Sequence, residues 1–267
     1  MNEILFPVLI VAGIGLIAGL LLAVLSKLMA VPVDEKEEAV IQALPGANCG
    51  ACGFSGCQGY ASALAKGKTR DTGLCAPGGS EVSAAISEIM GLSASTIVPM
   101  TAVVRCMGND DCAEKKLIYS GVSSCKMASQ LFGGDKTCIY GCLGLGDCQR
   151  ECPYDAINIC GGVAIVSPEL CKACKKCIAV CPKELIELMP KSESKATVLC
   201  RNHDKGALVK KECSAGCLGC TKCVKTCPEG AISMDNLVAK VDYDKCTGCG
   251  QCTDSCPNDT IKILNSK

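Results

Sequence analysis

The apolar and polar positions divide the chain into two unlike parts. From Ile4 to Leu25 the sequence ILFPVLIVAGIGLIAGLLLAVL runs 22 residues without a charge, the length a helix needs to cross a hydrocarbon layer about 30 Å thick. A single transmembrane helix is expected there. A secretory signal carries positive charge before its apolar stretch, whereas only Asn2 and Glu3 precede this one. The first basic residue, Lys27, follows the stretch, and thiols kept free need a reducing compartment. Both predict a cytoplasmic C-terminal side. Gly15 and Gly19 form a GxxxG pair on which another helix can pack closely.

Beyond an acidic linker, Asp34 to Glu38, the pattern turns to short segments. Ser80 is positioned to cap a helix with Val82, Ile86, Ile89 and Met90 on one face and Gly91 at its end. A second helix is predicted from Ser124 to Phe132, stopped by Gly133 and Gly134. AINI (156–159), VAIV (163–166), AISM (231–234) and LVAKV (237–241) read as strands bracketing Gly or Asn turns. TAVVRC (101–106) and KATVLC (195–200) are β-branched segments that each lead into a cysteine-rich stretch.

Composition then limits what can hold these segments together. Aromatic residues make up 3% of the 267-residue chain, Trp is absent, and 26 residues are Cys. Large apolar side chains are too few to be the main source of stability, so small modules must be stapled by disulfides, zinc or iron–sulfur clusters. The 27 basic and 27 acidic residues balance, which leaves no broad basic surface for nucleic acid.

Spacing selects among the staples. The first motif is Cys49-x2-Cys52-x4-Cys57-x17-Cys75, set in NCGACGFSGC and closed by CAPGG. Four thiolates suit one [4Fe–4S] cluster, and Gly50, Gly53 and Gly56 let the backbone wrap it closely. A zinc site more often pairs two CxxC knuckles, and this motif has one. The second group is Cys138-x3-Cys142-x5-Cys148-x3-Cys152-Pro, then Cys171-x2-Cys174-x2-Cys177-x3-Cys181-Pro. The third is Cys217-x2-Cys220-x2-Cys223-x3-Cys227-Pro, then Cys246-x2-Cys249-x2-Cys252-x3-Cys256-Pro. Three of these four runs carry the bacterial ferredoxin spacing, in which the fourth Cys of each run serves the other run's cluster. Cys138, Cys142 and Cys148 are therefore expected to join Cys181, and Cys171, Cys174 and Cys177 to join Cys152. Likewise Cys217, Cys220 and Cys223 are expected to join Cys256, and Cys246, Cys249 and Cys252 to join Cys227, for a total of five [4Fe–4S] clusters.

The two ferredoxin modules also repeat internally. CIYGCLGLGDCQREC (138–152) aligns without a gap on CSAGCLGCTKCVKTC (213–227), which sets Cys138 opposite Cys213 and Leu145 opposite Cys220. The standard central Cys is thus missing from the earlier run, and Cys213 and Cys220 compete as ligands in the later one. Six cysteines remain outside the five sets: Cys106, Cys112, Cys125, Cys160, Cys200 and Cys213. Buried thiols are their ordinary reading, with an additional cluster or a redox-active thiol as the alternative. His203, the one histidine, sits among Asn202, Asp204 and Lys205 and reads as a solvated loop residue. No nucleotide fingerprint, P-loop or nucleophile–base pairing is present, so no catalytic residue is assigned.

The order of an N-terminal helix, the NCGACGFSGC loop with CAPGG, and ferredoxin modules closely resembles the B subunit of the Rnf complex over essentially the whole chain. That resemblance implies the iron–sulfur subunit of an ion-translocating ferredoxin:NAD oxidoreductase in a bacterial inner membrane. It would be a translocase subunit that accepts electrons from soluble ferredoxin and passes them to flavin-bearing and other membrane subunits. The second ferredoxin module and the 101–135 insert correspond to a longer form of the family. The fold is expected to be α+β: a transmembrane anchor (1–29), an N-terminal [4Fe–4S] domain (30–95), an α/β insert (96–135), a ferredoxin module (136–192), a linker (193–212) and a second module (213–267). An electron-transfer subunit of another membrane oxidoreductase, such as a hydrogenase, and a membrane-bound iron–sulfur sensor share these features.

Overall fold

Residues 2–28, 34–191 and 194–264 are described in the computed structural model, with side chains from 12 to 25 in the first stretch. Helix α1 (Asn2–Leu28) contains the whole apolar stretch along its backbone. The side chains of 4–11, part of the expected span, lie outside the described residues. Ile14, Leu16, Ile17, Leu20, Leu21, Leu22, Val24 and Leu25 are exposed. Among the described residues, no helix is long and apolar enough to cross a membrane.

Three helices build the next unit. The Asp34 carboxylate caps α2 (Glu35–Ala43), accepting the Lys36 N–H at 3.0 Å. Val40 and Leu44 from α2 and its end, Tyr60 and Leu64 from α3 (Cys57–Ala65), and Ile86 from α4 (Gly79–Met90) form its buried core. Of the stripe expected on α4, Ile86 is fully buried and Val82, Ile89 and Met90 pack against the cluster at its edge. The left-handed Gly91, φ 64°, stops the helix.

The remainder is a duplicated body of four two-stranded antiparallel sheets. In its first half, β1 (Met100–Val104) is followed by α5 (Cys125–Ser129), α6 (Asp147–Arg150), the hairpin β2 (Ile157–Cys160) and β3 (Val163–Val166), α7 (Lys176–Val180) and β4 (Ile186–Pro190). Its second half runs β5 (Lys195–Val198), α8 (Gly206–Glu212), α9 (Lys222–Thr226), the hairpin β6 (Ile232–Asp235) and β7 (Val238–Val241), α10 (Gln251–Asp254) and β8 (Ile261–Leu264). The four hairpin strands lie within one residue of the expected ones. Helix α5 is shorter than the predicted 124–132 segment, because Phe132, Gly133 and Gly134 all take positive φ and turn the chain away.

The halves are closed by matching long-range pairs. β1 pairs with β4, Val104 opposite Ile186, and β5 pairs with β8, Val198 opposite Ile261. The next residue continues each ladder: the Arg105 N–H donates to Leu185 O at 2.7 Å, and the Leu199 N–H to Thr260 O at 2.9 Å. Segments that read as an insert and a linker thus each contribute a strand to the adjoining module. Buried Arg105 joins the halves, donating to Val198 O (3.2 Å), Cys200 O (3.3 Å) and Ala239 O (3.3 Å) and facing Glu187 at 3.5 Å.

Candidate iron–sulfur sites

Each ferredoxin-type loop is shaped by two left-handed residues at the same positions. They are Gly144 and Gly146 (φ 67° and 80°), Ala173 and Lys175 (53° and 63°), Gly219 and Thr221 (67° and 60°), and Gly248 and Gly250 (73° and 83°). Three of the eight are not glycine, a conformation that costs an L-residue about 1–2 kcal/mol, so the surrounding fold must impose it. After three of the four Cys-Pro turns, a backbone N–H returns to the preceding thiol. Ala156 donates to Cys152 Sγ (3.4 Å), Leu185 to Cys181 Sγ (3.5 Å) and Ala231 to Cys227 Sγ (3.3 Å). Such bonds stabilise a thiolate ligand and tune a cluster's potential.

The structure brings the expected cysteines together in four places. Cys75 has Cys49, Cys52 and Cys57 as its charged neighbours, and Cys177 has Cys152, Cys171 and Cys174. Cys217, Cys220, Cys223 and Cys256 line one cavity. Cys252 is surrounded by Cys246, Cys227 and Cys249. In the N-terminal loop, Asn48 Oδ1 accepts the Cys57 N–H at 2.9 Å, and a Cβ on Gly56 would stand 2.9 Å from that oxygen. This close approach, at φ 126°, is the reason for glycine there.

The fifth place differs from the expected grouping. Cys142, Cys148 and Cys181 share a cavity with Cys125, and Cys138 is not among its walls. Cys125 enters from the start of α5, and the backbone N–H groups of Asp147 and Leu145 face its sulfur. It therefore sits over the loop position where Leu145 replaces the usual central cysteine. Asp147 holds α5 in place, accepting from Ser124 Oγ and the Lys126 N–H, each at 3.0 Å. Cys138 lies instead in a separate cavity with Cys106, Cys200 and Cys213. Sequence spacing has no means of finding Cys125, which is contributed by an insert outside every run. Cys160 is exposed on the β2–β3 hairpin. The His203 ring contacts Asn236 O at 3.0 Å and the edge of Tyr140.

Burial controls the thiols while they are free. It pushes Cys138, Cys148 and Cys177 up to about 12 and Cys223 up to about 11. Grouped, buried thiols of this kind ionise only beside a strong positive centre such as coordinated metal, which deprotonates them outright. Among the described residues, no group of three or more His, Cys, Asp or Glu closes tightly enough for a single metal ion. Four thiols grouped around one shared cavity fit a cubane, whose corners hold its ligands farther apart than a single ion does.

Duplicated loops with the ferredoxin backbone, each presenting grouped cysteines, define an iron–sulfur electron-transfer protein. Comparison with known proteins agrees. Residues 44–77 match the family model "Putative Fe-S cluster", 168–184 a 4Fe-4S binding domain and 216–260 a 4Fe-4S dicluster domain. The chain is 42% identical over 246 residues to the B subunit of the Na(+)-translocating ferredoxin:NAD(+) oxidoreductase complex of Acetobacterium woodii, covering 92% of this chain and 73% of that one. It is 39% identical to the proton-translocating counterpart of Clostridium ljungdahlii, covering 91% and 85%, and 38% identical to the B subunit of the ion-translocating oxidoreductase complex of Methanosarcina acetivorans, covering 88% and 89%. The chain belongs to this B-subunit family, as an iron–sulfur electron-transfer subunit of an ion-translocating oxidoreductase.

Proposed function

We propose that the chain accepts electrons from reduced soluble ferredoxin and relays them toward flavin-bearing and other membrane partner subunits, and through them toward NAD. The observation that carries this reading is the continuity of the cysteine sites across the fold. Cys49 of the N-terminal loop neighbours Cys174, and Tyr154 lies among Cys174, Cys49, Cys75 and Cys152. Lys175 Nζ also donates to Ala51 O at 3.3 Å. Cys148 in turn neighbours both Cys177 and Cys181.

Five ligand sets follow: Cys49, Cys52, Cys57 and Cys75; Cys125, Cys142, Cys148 and Cys181; Cys152, Cys171, Cys174 and Cys177; Cys217, Cys220, Cys223 and Cys256; and Cys227, Cys246, Cys249 and Cys252. Each would hold one [4Fe–4S] cluster, which when bound supplies one-electron redox chemistry. The protein residues hold the thiolates, direct backbone N–H groups at sulfur and exclude water.

Helix α1 is the proposed inner-membrane anchor, single-pass, with the C-terminal modules on the cytoplasmic side. Its 27 residues span about 40 Å at 1.5 Å per residue, and the uncharged stretch 4–25 within it supports the same reading.

The experiment follows from the chain's two ends. In membranes carrying the assembled complex, Cys49→Ser should abolish ferredoxin-driven NAD reduction, while the purified variant chain still oxidises reduced ferredoxin. Full NAD reduction by the variant membranes would remove the N-terminal site from the path.

A further inference from the structure

The cavity between the two halves has a symmetry that the other sites lack. Cys106 and Cys200 each lie two residues beyond the matching strands β1 and β5, and Cys138 and Cys213 occupy the same position in the repeated loops. All four line one cavity, equal in size to the two lined by Cys125, Cys142, Cys148 and Cys181 and by Cys217, Cys220, Cys223 and Cys256. Each half therefore supplies an equivalent pair of thiols to a common centre on the pseudo-twofold axis.

Contacts around the sulfurs repeat the symmetry. The Cys142 N–H donates to Cys106 Sγ at 3.4 Å, and its counterpart, the Cys217 N–H, faces the Cys200 sulfur. Asn202 bridges the halves, its N–H donating to Cys200 Sγ and its Nδ2 to Cys138 Sγ, both at 3.4 Å. A Cβ at Gly108 would stand 3.3 Å from Cys213 Sγ and 3.7 Å from Cys106 Sγ, so both thiols crowd that backbone.

Charge is arranged to suit an anionic occupant. Arg105 and Lys136 line the cavity, 7% and 1% exposed. The Lys136 ammonium donates to Gly108 O (2.7 Å) and Gly162 O (2.9 Å), carbonyls that carry no compensating charge. Arg105 is paired with Glu187, but a buried Lys136 ammonium held by two carbonyls beside four thiols is costly unless the occupant is negative. Four thiolates on a cubane carry a net negative charge and meet that need.

We infer that Cys106, Cys138, Cys200 and Cys213 hold a sixth [4Fe–4S] cluster on the axis between the two ferredoxin-like halves. This rests on the iron–sulfur reading of the other five sites and completes it. The sixth site touches the first half through Cys142 and the second through Cys217, each a ligand in its own module's set. It is the bridge that makes one path of two modules.

The test is iron and acid-labile sulfide per chain, with electron paramagnetic resonance, on full-length protein purified anaerobically in detergent. Wild type should hold about 24 iron atoms and Cys200→Ala about 20, with the remaining clusters reducible, while Cys160→Ala matches wild type. A wild type with about 20 iron atoms, unchanged by Cys200→Ala, overturns the sixth site and leaves the five-cluster reading standing. Little iron together with bound zinc overturns both. If Cys200→Ala fails to fold, the wild-type count alone decides.

Discussion

Leu145 stands where a ferredoxin loop ordinarily has its central cysteine, yet the loop around it keeps the left-handed Gly144 and Gly146 of its relatives. Backbone geometry is kept while the fourth thiol of the cavity comes from Cys125, on another segment. Replacing Cys125 with Ser should remove about four iron atoms per chain. Adding Leu145→Cys to that variant should restore them, because the second thiol would project from the standard position; failure to restore would show that Cys125 acts some other way. Arg105 makes a different kind of prediction. Arg105→Met leaves three buried carbonyls without their donor and should destabilise the protein by about 3 kcal/mol in anaerobic denaturant unfolding. At this scale the sequence was most legible where ligands lie on one regular run. Cys217, Cys220 and Cys223 share a cavity with Cys256 as their spacing suggests, whereas Cys106, Cys138, Cys200 and Cys213 come from four segments with no common period.

The elements divide along the same line. Hairpins β2–β3 and β6–β7 were readable because a Gly or Asn turn joins two short apolar runs. The closing pairs β1–β4 and β5–β8 have no such local signal, since each joins strands separated by an entire module. Helix α4 ends at Gly91 as predicted but starts at Gly79, with Gly78 at its cap and Ser80 inside the first turn, and α5 was cut short by the turn at Phe132. Strain imposed on the loops is testable in isolation. Thr221 is a β-branched residue at φ 60°. Thr221→Gly should therefore raise the thermal midpoint of the loaded protein, by an amount corresponding to about 1 kcal/mol, since glycine adopts this conformation without a Cβ clash. A lower midpoint would mean that the Thr side chain contributes more than the strain costs.

For the molecule as a whole, stability and electron transfer have the same origin. With 3% aromatic residues and 26 cysteines, the body is held by its cluster sites as much as by its apolar cores. Chelating the iron under anaerobic conditions should collapse the ferredoxin-like halves, read as loss of cooperative thermal unfolding, before it affects α4 and its core. Removal of residues 1–29 should shift the chain from the membrane to the soluble fraction with its iron content unchanged. The central claim is that this chain takes electrons from a reduced ferredoxin, and the direct measurement is the visible absorbance of the anaerobic full-length protein on mixing with one. A brown protein that bleaches as the ferredoxin is oxidised, and recovers when an acceptor is added, is the predicted result. A colourless, zinc-bearing protein, or a brown one that ferredoxin leaves unchanged, would contradict it.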